Sequence, residues 1–199
     1  TGGAGGTGGA TGGTGGTGGA TGGTGGVTGG AGGTGGTGGS SCGNVVINEV
    51  SPDGASGSDE FVELHNSGTC VQSLSGWTLK YSSASGSTPA TLWSAAASDS
   101  IPAGGYFVLG GSGFGGTKHG AMTGGLAAAG GGVGVFDGPT LKDAVAYGSA
   151  SSTHPFIEGT TPTPTIPANQ SAARSPNGKD TNNNATDFKI AVRTAGAAN

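Results

Sequence analysis

A chain of 199 residues with 49 glycines, 9% charged residues and a formal net charge of −4 has room for one ordinary domain and an appendage. Its seven basic residues are scattered from Lys80 to Arg193, which excludes nucleic-acid binding by clustered cations. No stretch approaches the ~18–20 apolar residues of a membrane-spanning helix, and low charge with abundant Thr, Ser, Gly and Ala suits secreted or fibrous material.

The first element is a repeat. Residues 1–39 divide into twelve X-Gly-Gly triplets, with Ala10, Ala20 and Val27 inserted singly. X is Ala in two triplets and Thr in ten, among them Thr1, Thr7, Thr14, Thr17, Thr24 and Thr34. Collagen also has a period of three, but it places one Gly per triplet and relies on imino acids. Two glycines per triplet and no Pro match instead a polyglycine-II-like extended arm, a left-handed helix of the polyproline II type. Its three residues per turn put every X side chain on one edge and leave its N–H and C=O groups pointing outward. Each inserted residue turns the Thr edge by roughly 120°. Ordering so bare a backbone costs ~1–2 kcal/mol per residue, and Gly loses the most. One such arm in water is expected to be disordered; many arms side by side can exchange backbone hydrogen bonds. The repeat threonines also suit O-glycosylation, as in stalk-like proteins.

The composition changes at Cys42, dividing the chain into an arm (1–41) and a domain (42–199). Two cysteines, Cys42 and Cys70, in a Gly/Ser/Thr-rich chain predict one disulfide and an oxidising compartment. That bridge would close a loop of about 28 residues, worth roughly 3 kcal/mol in the chain-entropy model, and clamp the base of the arm. The chain begins without Met and inside a repeat, which reads as a mature or trimmed chain from which any secretion signal is absent.

Strand-like runs follow in order: "NVVINEV" (44–50), "EFVELHN" (60–66), "LSGWTLKY" (74–81) and "IPAGGYFVLG" (101–110), the last with Pro-Ala-Gly-Gly as its turn. "GGVGVFD" (131–137) and "KDAVAYG" (142–148) form a hairpin around "GPTL", and "TDFKIAV" (186–192) closes the sheet. No helical period persists. The expected fold is an all-β sandwich. Its core is built on Trp77 with Leu74 and Leu79, surrounded by Ile47, Val50, Phe61, Val62, Leu64, Phe107, Leu109, Val135 and Val145.

At "VVINEVSPDG", "DEFVELHNSG", "SLSGWTLKY", "IPAGGYFVLG", "GVGVFDGPTLKDAVAYG" and "QSAARSPNGKDTNNNATDFKIAVRTAGAAN" the chain resembles the lamin tail domain family in its bacterial secreted form. The resemblance spans nearly all of 44–199 and implies an immunoglobulin-like β-sandwich. The leader looks like the tethers of secreted or lipid-anchored proteins in myxobacteria-like bacteria. Members of the family accompany nucleases, adhesins and surface proteins, and the domain serves as a binding or structural module, so the resemblance leaves the function open.

Candidate chemistry is sparse. Glu49 and Glu63 fall on adjacent strands, where a carboxylate pair invites an acid/base reading; bonding to backbone groups or facing solvent is the favoured alternative. His65, His119 and His154 lack metal-like spacing, and no Ser, His and Asp form a nucleophile context. Asp180, Asn182, Asn184 and Asp187 are alternating oxygen donors of the kind Ca²⁺ takes. However, Ala185 and Ala191 stand where an EF-hand loop needs Gly and Glu, and Asx turns explain the Asn cluster without a metal.

The expected function is that of a non-enzymatic, extracellular structural protein whose arms self-assemble into a fibre, without cofactor. The alternative is a surface-tethered adhesion module, with the arm as spacer and the loops 82–99 and 149–170 engaging glycan or protein.

Overall fold

The computed structural model describes residues 43–160 and 162–199. The X-Gly-Gly repeat, with Thr1, Thr7, Thr14, Thr17, Thr24, Thr34 and its expected extended helix, lies outside the described residues, as does Cys42.

The strands in chain order are β1 (Val45–Ser51), β2 (Phe61–Asn66), β3 (Gln72–Ser73), β4 (Trp77–Ser83), β5 (Ala90–Ser94) and β6 (Ser100–Ile101). They continue with β7 (Tyr106–Gly110), β8 (Gly120–Ala121), β9 (Gly130–Asp137), β10 (Thr140–Gly148) and β11 (Gln170–Arg174). A single helical turn, α1 (Asn184–Asp187), leads into β12 (Phe188–Val192). One sheet has the order β12-β11-β1-β2-β7-β8, the second β10-β9-β4-β5, and β3 pairs with β6 in a small ribbon. Only the β7–β8 pairing is parallel among these named strands. The two main sheets make the immunoglobulin-like β-sandwich that the sequence predicts.

Trp77, Leu74 and Leu79 are buried between the sheets with Ile47, Val50, Val62, Leu64, Phe107, Leu109, Val135 and Val145. Phe61 is the correction. It is fully buried, but on the opposite face of β2 from Val62 and Leu64, against the Phe114 ring with centroids 5.3 Å apart. Period-two alternation requires this: 62 and 64 face the inter-sheet core, so 61, 63 and 65 face outward. Burial on both faces of β1 and β2 means that something covers the outside of this sheet.

The Gly-Val alternation of β9 has a comparable cause. Val133 and Val135 enter the core, and Gly132 and Gly134 leave room on the outer face for the rings of His154 and Phe156. A Cβ on either glycine would come within 2.6 Å of those rings. The β9–β10 hairpin turns at Gly138-Pro139, with Gly138 at φ 55°, and pairing resumes at Thr140 rather than after "GPTL".

Several elements differ from expectation. The run 101–110 splits into β6 and β7 at its Pro-Ala-Gly-Gly turn, and β4 starts at Trp77 rather than Leu74. β5 lies inside the segment expected to be a loop, where Leu92 and Trp93 are buried in the core. β11 has no strand signal in sequence, because Gln-Ser-Ala-Ala-Arg has no β-branched or aromatic residue. It nonetheless runs between β1 and β12, and it delivers Arg174 to the site below.

Candidate functional site

Two strand irregularities meet between the sheets. The β1–β2 register shifts between Ile47 and Glu49, and the β9–β10 register shifts between Leu141 and Asp143. A bulge breaks the ladder locally and leaves backbone groups to be satisfied otherwise. Asp143 accepts the Ile47 N–H at 2.6 Å, and the Arg174 Nε donates to the Ile47 carbonyl at 2.8 Å. The Arg174 Nη2 closes the triangle on both Asp143 oxygens at 2.8 and 2.9 Å. Asp143 stands on the four-stranded sheet and Ile47 and Arg174 on the six-stranded one, so this fork ties the two halves together.

Arg174 is 0% exposed and its remaining donors are also used. Nη1 donates to the Lys179 carbonyl at 2.6 Å and lies 3.2 Å from Asp187 and 3.5 Å from Asp180. Glu158 approaches Nη2 at 3.9 Å, and the Phe188 ring lies beneath the guanidinium at 4.5 Å. Four carboxylates thus surround one buried cation, with Lys179 at 3.9 Å from Asp187.

Such an excess of carboxylates moves protons. Burial, then the charges of Asp143 and Asp180, raise Glu158 to about 8, against the pull of Arg174. Asp143 is raised as well, by burial against Arg174. Asp187 is buried too, but hydrogen bonds from the Thr181 N–H and hydroxyl and the Asn183 N–H, with Arg174, hold it below the usual carboxylate range.

Between pH 4.5 and about 8 the folded chain therefore keeps a proton on Glu158 that the unfolded chain has lost. Stability falls as pH rises through that window. Glu158→Gln is expected to flatten this slope and to stabilise the fold at pH 8.5 by on the order of 1 kcal/mol. Urea unfolding at pH 5 and 8.5 measures both effects.

The second carboxylate cluster lies on the outer face of the six-stranded sheet, where Glu49 and Glu63 are cross-strand partners, both fully buried. Residues 193–199 cover them. Thr194 donates its N–H and hydroxyl to Glu49 at 2.9 and 3.0 Å, and the Gly196 N–H donates to Glu63 at 2.6 Å. Asn48 supplies a further bond to Glu63 at 2.9 Å. Burial raises Glu63 to about 7 despite the donors Asn48 and Gly196, with the charge of Glu49 adding. Glu49 is also raised by burial, against bonds from Ser171 and Thr194 and the charge of Arg193. Arg193 anchors the covering segment on Asp59 at 2.8–3.1 Å and lies over Phe61 at 5.1 Å. The two glutamates sit side by side as expected, and they bond to backbone groups.

The four proposed metal donors are divided among other tasks. Asn184 is buried, bonding through its side chain to the backbone of Ala144, Ala146 and Glu158. Asp187 serves the Thr181–Asn183 turn and Arg174, and Asn183 caps α1 through Thr186 N–H. Asp180 accepts the Asn182 N–H at 3.0 Å, an Asx turn, and Asn182 itself is exposed. Only Asp180 belongs to the set whose oxygens converge among the described residues: Asp143, Glu158 and Asp180 come within 4.8 Å of one another. Arg174 faces all three. Asp143 and Glu158 carried no sequence signal, since neither is near Asp180 in the chain.

The histidines stay apart and serve the backbone. His65 Nδ1 donates to the Gly105 carbonyl at 3.0 Å, His119 Nδ1 accepts the Val108 N–H at 2.9 Å, and His154 Nδ1 accepts the Phe156 N–H at 3.2 Å. In the segment 149–170 His154, Phe156, Thr163 and Ile166 are buried, whereas most of 82–91 is exposed. Cys70 is not a free thiol. Among the described residues no helix is long and apolar enough to cross a membrane.

No curated protein matches the chain. The Lamin Tail Domain family model matches residues 39–194, which includes β1 to β12 and the Arg174 tie between the sheets. The chain therefore belongs to the lamin tail domain family, whose members share an immunoglobulin-like domain.

Proposed function

We propose that this is a non-enzymatic, extracellular structural protein, of bacterial secreted type, that assembles through its glycine-rich leader with the sandwich as outer node. The observation that carries the reading is the triplet register of residues 1–39, in which X-Gly-Gly phase is kept through blocks of three, three, two and four. A helix with two bare edges per turn can pack against its own copies and exchange backbone hydrogen bonds with them. Nothing else in the segment offsets an ordering cost of ~1–2 kcal/mol per residue.

The domain supports a mechanical role. Its two sheets are held by the Asp143–Arg174 fork as well as by the core. A Cys42–Cys70 bridge would pass load from the leader into the sheet, and it requires an oxidising compartment. The best acid/base candidates, Glu49 and Glu63, are sealed under residues 193–199, which favours a non-catalytic reading. Partners are then other copies of the chain.

Purified full-length chain is expected to form filaments by negative-stain electron microscopy, and the chain lacking residues 1–39 is expected to stay monomeric. Identical filaments from both would remove the leader from the assembly. A full-length monomer with sharp leader resonances would favour a spacer in a tethered binding module.

A further inference from the structure

Beside β2, β7 and β8, residues 57, 58, 60, 111, 112 and 122–125 line an open cleft of about 170 Å³. Its floor holds one carboxylate, Glu60, which is 3% exposed. Glu60 Oε2 accepts the Leu126 N–H at 2.8 Å, and that is the one donor the described residues supply to this carboxylate. Oε1 faces Gly125, where a Cβ would stand only 3.1 Å away. The glycine leaves this oxygen open to the cleft. The opposite walls are backbone in close approach, since a Cβ on Gly111 would lie 2.6 Å from the Ser58 carbonyl.

The lining specifies the ligand by what it contains. Besides Glu60 the cleft is lined by Ser58, Ser112, Thr123 and Met122, and by no cationic residue. Thr123 is already committed to the Leu92 carbonyl, and Lys118 donates to the Gly111 carbonyl without lining the cleft. Asp53 adds like charge near Glu60. An anion is therefore repelled. A hard divalent cation needs about six to eight oxygen ligands, and the cleft supplies one carboxylate. A sugar ring would lack an aromatic face to stack on. What remains is a small cationic donor. Met122 supplies the adaptable, polarisable surface that suits a methylene stem.

We propose that this cleft binds a primary ammonium group on a short methylene stem, with Glu60 Oε1 as the acceptor and Met122 against the stem. Two sources present that chemistry, a lysine side chain of a partner protein and a free alkylamine.

Saturation-transfer NMR on the full-length chain tests this whether or not the chain is assembled, so its outcome is separate from that of the filament experiment. The probes are n-butylammonium, Nα-acetyl-lysine amide and the neutral n-butanol. Both amines are expected to bind with dissociation constants on the order of 1 mM, and n-butanol to show no saturable binding. Glu60→Gln, which still accepts the Leu126 N–H, should weaken the amines by roughly tenfold or more. Gly125→Ala should do the same, because its Cβ would stand 3.1 Å from Oε1. A lysine probe binding roughly tenfold tighter than n-butylammonium identifies a protein partner, and equal binding identifies free amines. Absence of amine binding, equal binding of n-butanol, or undiminished binding to both variants would overturn the proposal.

Discussion

Replacing Arg174 with methionine is expected to cost about 3–5 kcal/mol of folding stability, a large part of what a domain of this size possesses. The loss has two sources. Methionine fills much of the volume, but it leaves Asp143, Glu158, Asp180 and Asp187 facing one another with no cation except the half-exposed Lys179. It also strips the Ile47 carbonyl of its donor at the bulge. Breaking one side of a buried pair is costly because the remaining charge stays buried. The double variant Arg174→Met with Asp143→Asn should therefore recover part of the loss, a coupling that a double-mutant cycle in urea measures. Should the single variant not fold, Arg174→Lys keeps the charge while losing the fork and Nε, and is expected to cost about 1–3 kcal/mol. A cost below about 1 kcal/mol for Arg174→Met would mean that the sheets are held without this tie.

Deleting residues 193–199 is the second large change, with an expected loss of about 2–4 kcal/mol. It removes the Arg193–Asp59 bonds and the cover over Phe61. It also returns Glu49 and Glu63 to water, which partly offsets the loss because burial is what strains them. The deletion thus has a signature beyond lower stability. In the intact chain Glu63 titrates near 7 rather than 4.5, so the folded state gains protons relative to the unfolded one across that range. Stability declines as pH rises from about 4.5 to 7. The truncated chain should lose that share of the slope, and Glu63→Gln in the intact chain should lose it without the drop in stability. Urea midpoints at pH 5 and 7.5 separate the two. An unchanged slope after truncation would show that the segment is not what perturbs Glu63.

What could be read from the sequence follows the range of the interactions. The strands β1, β2, β4, β7, β9, β10 and β12 announce themselves through β-branched or alternating residues. β11 is silent because Ala172 and Ala173 suit a crowded central position without carrying β-propensity. The adjacency of Glu49 and Glu63 is legible from neighbouring strands, but their cover arrives from residues 194 and 196, more than 130 positions away. Arg174 looks like any surface arginine until Asp143 and Ile47 are brought to it, 31 and 127 residues distant. The Asp/Asn run at 180–187 carries two readings in sequence, metal loop and turn. The side chains of Asp180, Asn183 and Asp187 are spent on the turn, and Asn184 on the strand edge. Phe61 reads as a core residue in sequence because hydrophobicity reports burial and not facing direction.

The leader remains the centre of the functional account. Its backbone amides must be hydrogen-bonded to sister chains if the triplet register builds a fibre. Hydrogen–deuterium exchange on assembled full-length material reads this directly. Protection of the glycine amides across residues 1–39, at a level approaching that of β1 and β2, is the result the account requires. Exchange of that whole segment at the rate of an unstructured peptide, in filaments that are intact by microscopy, would contradict it.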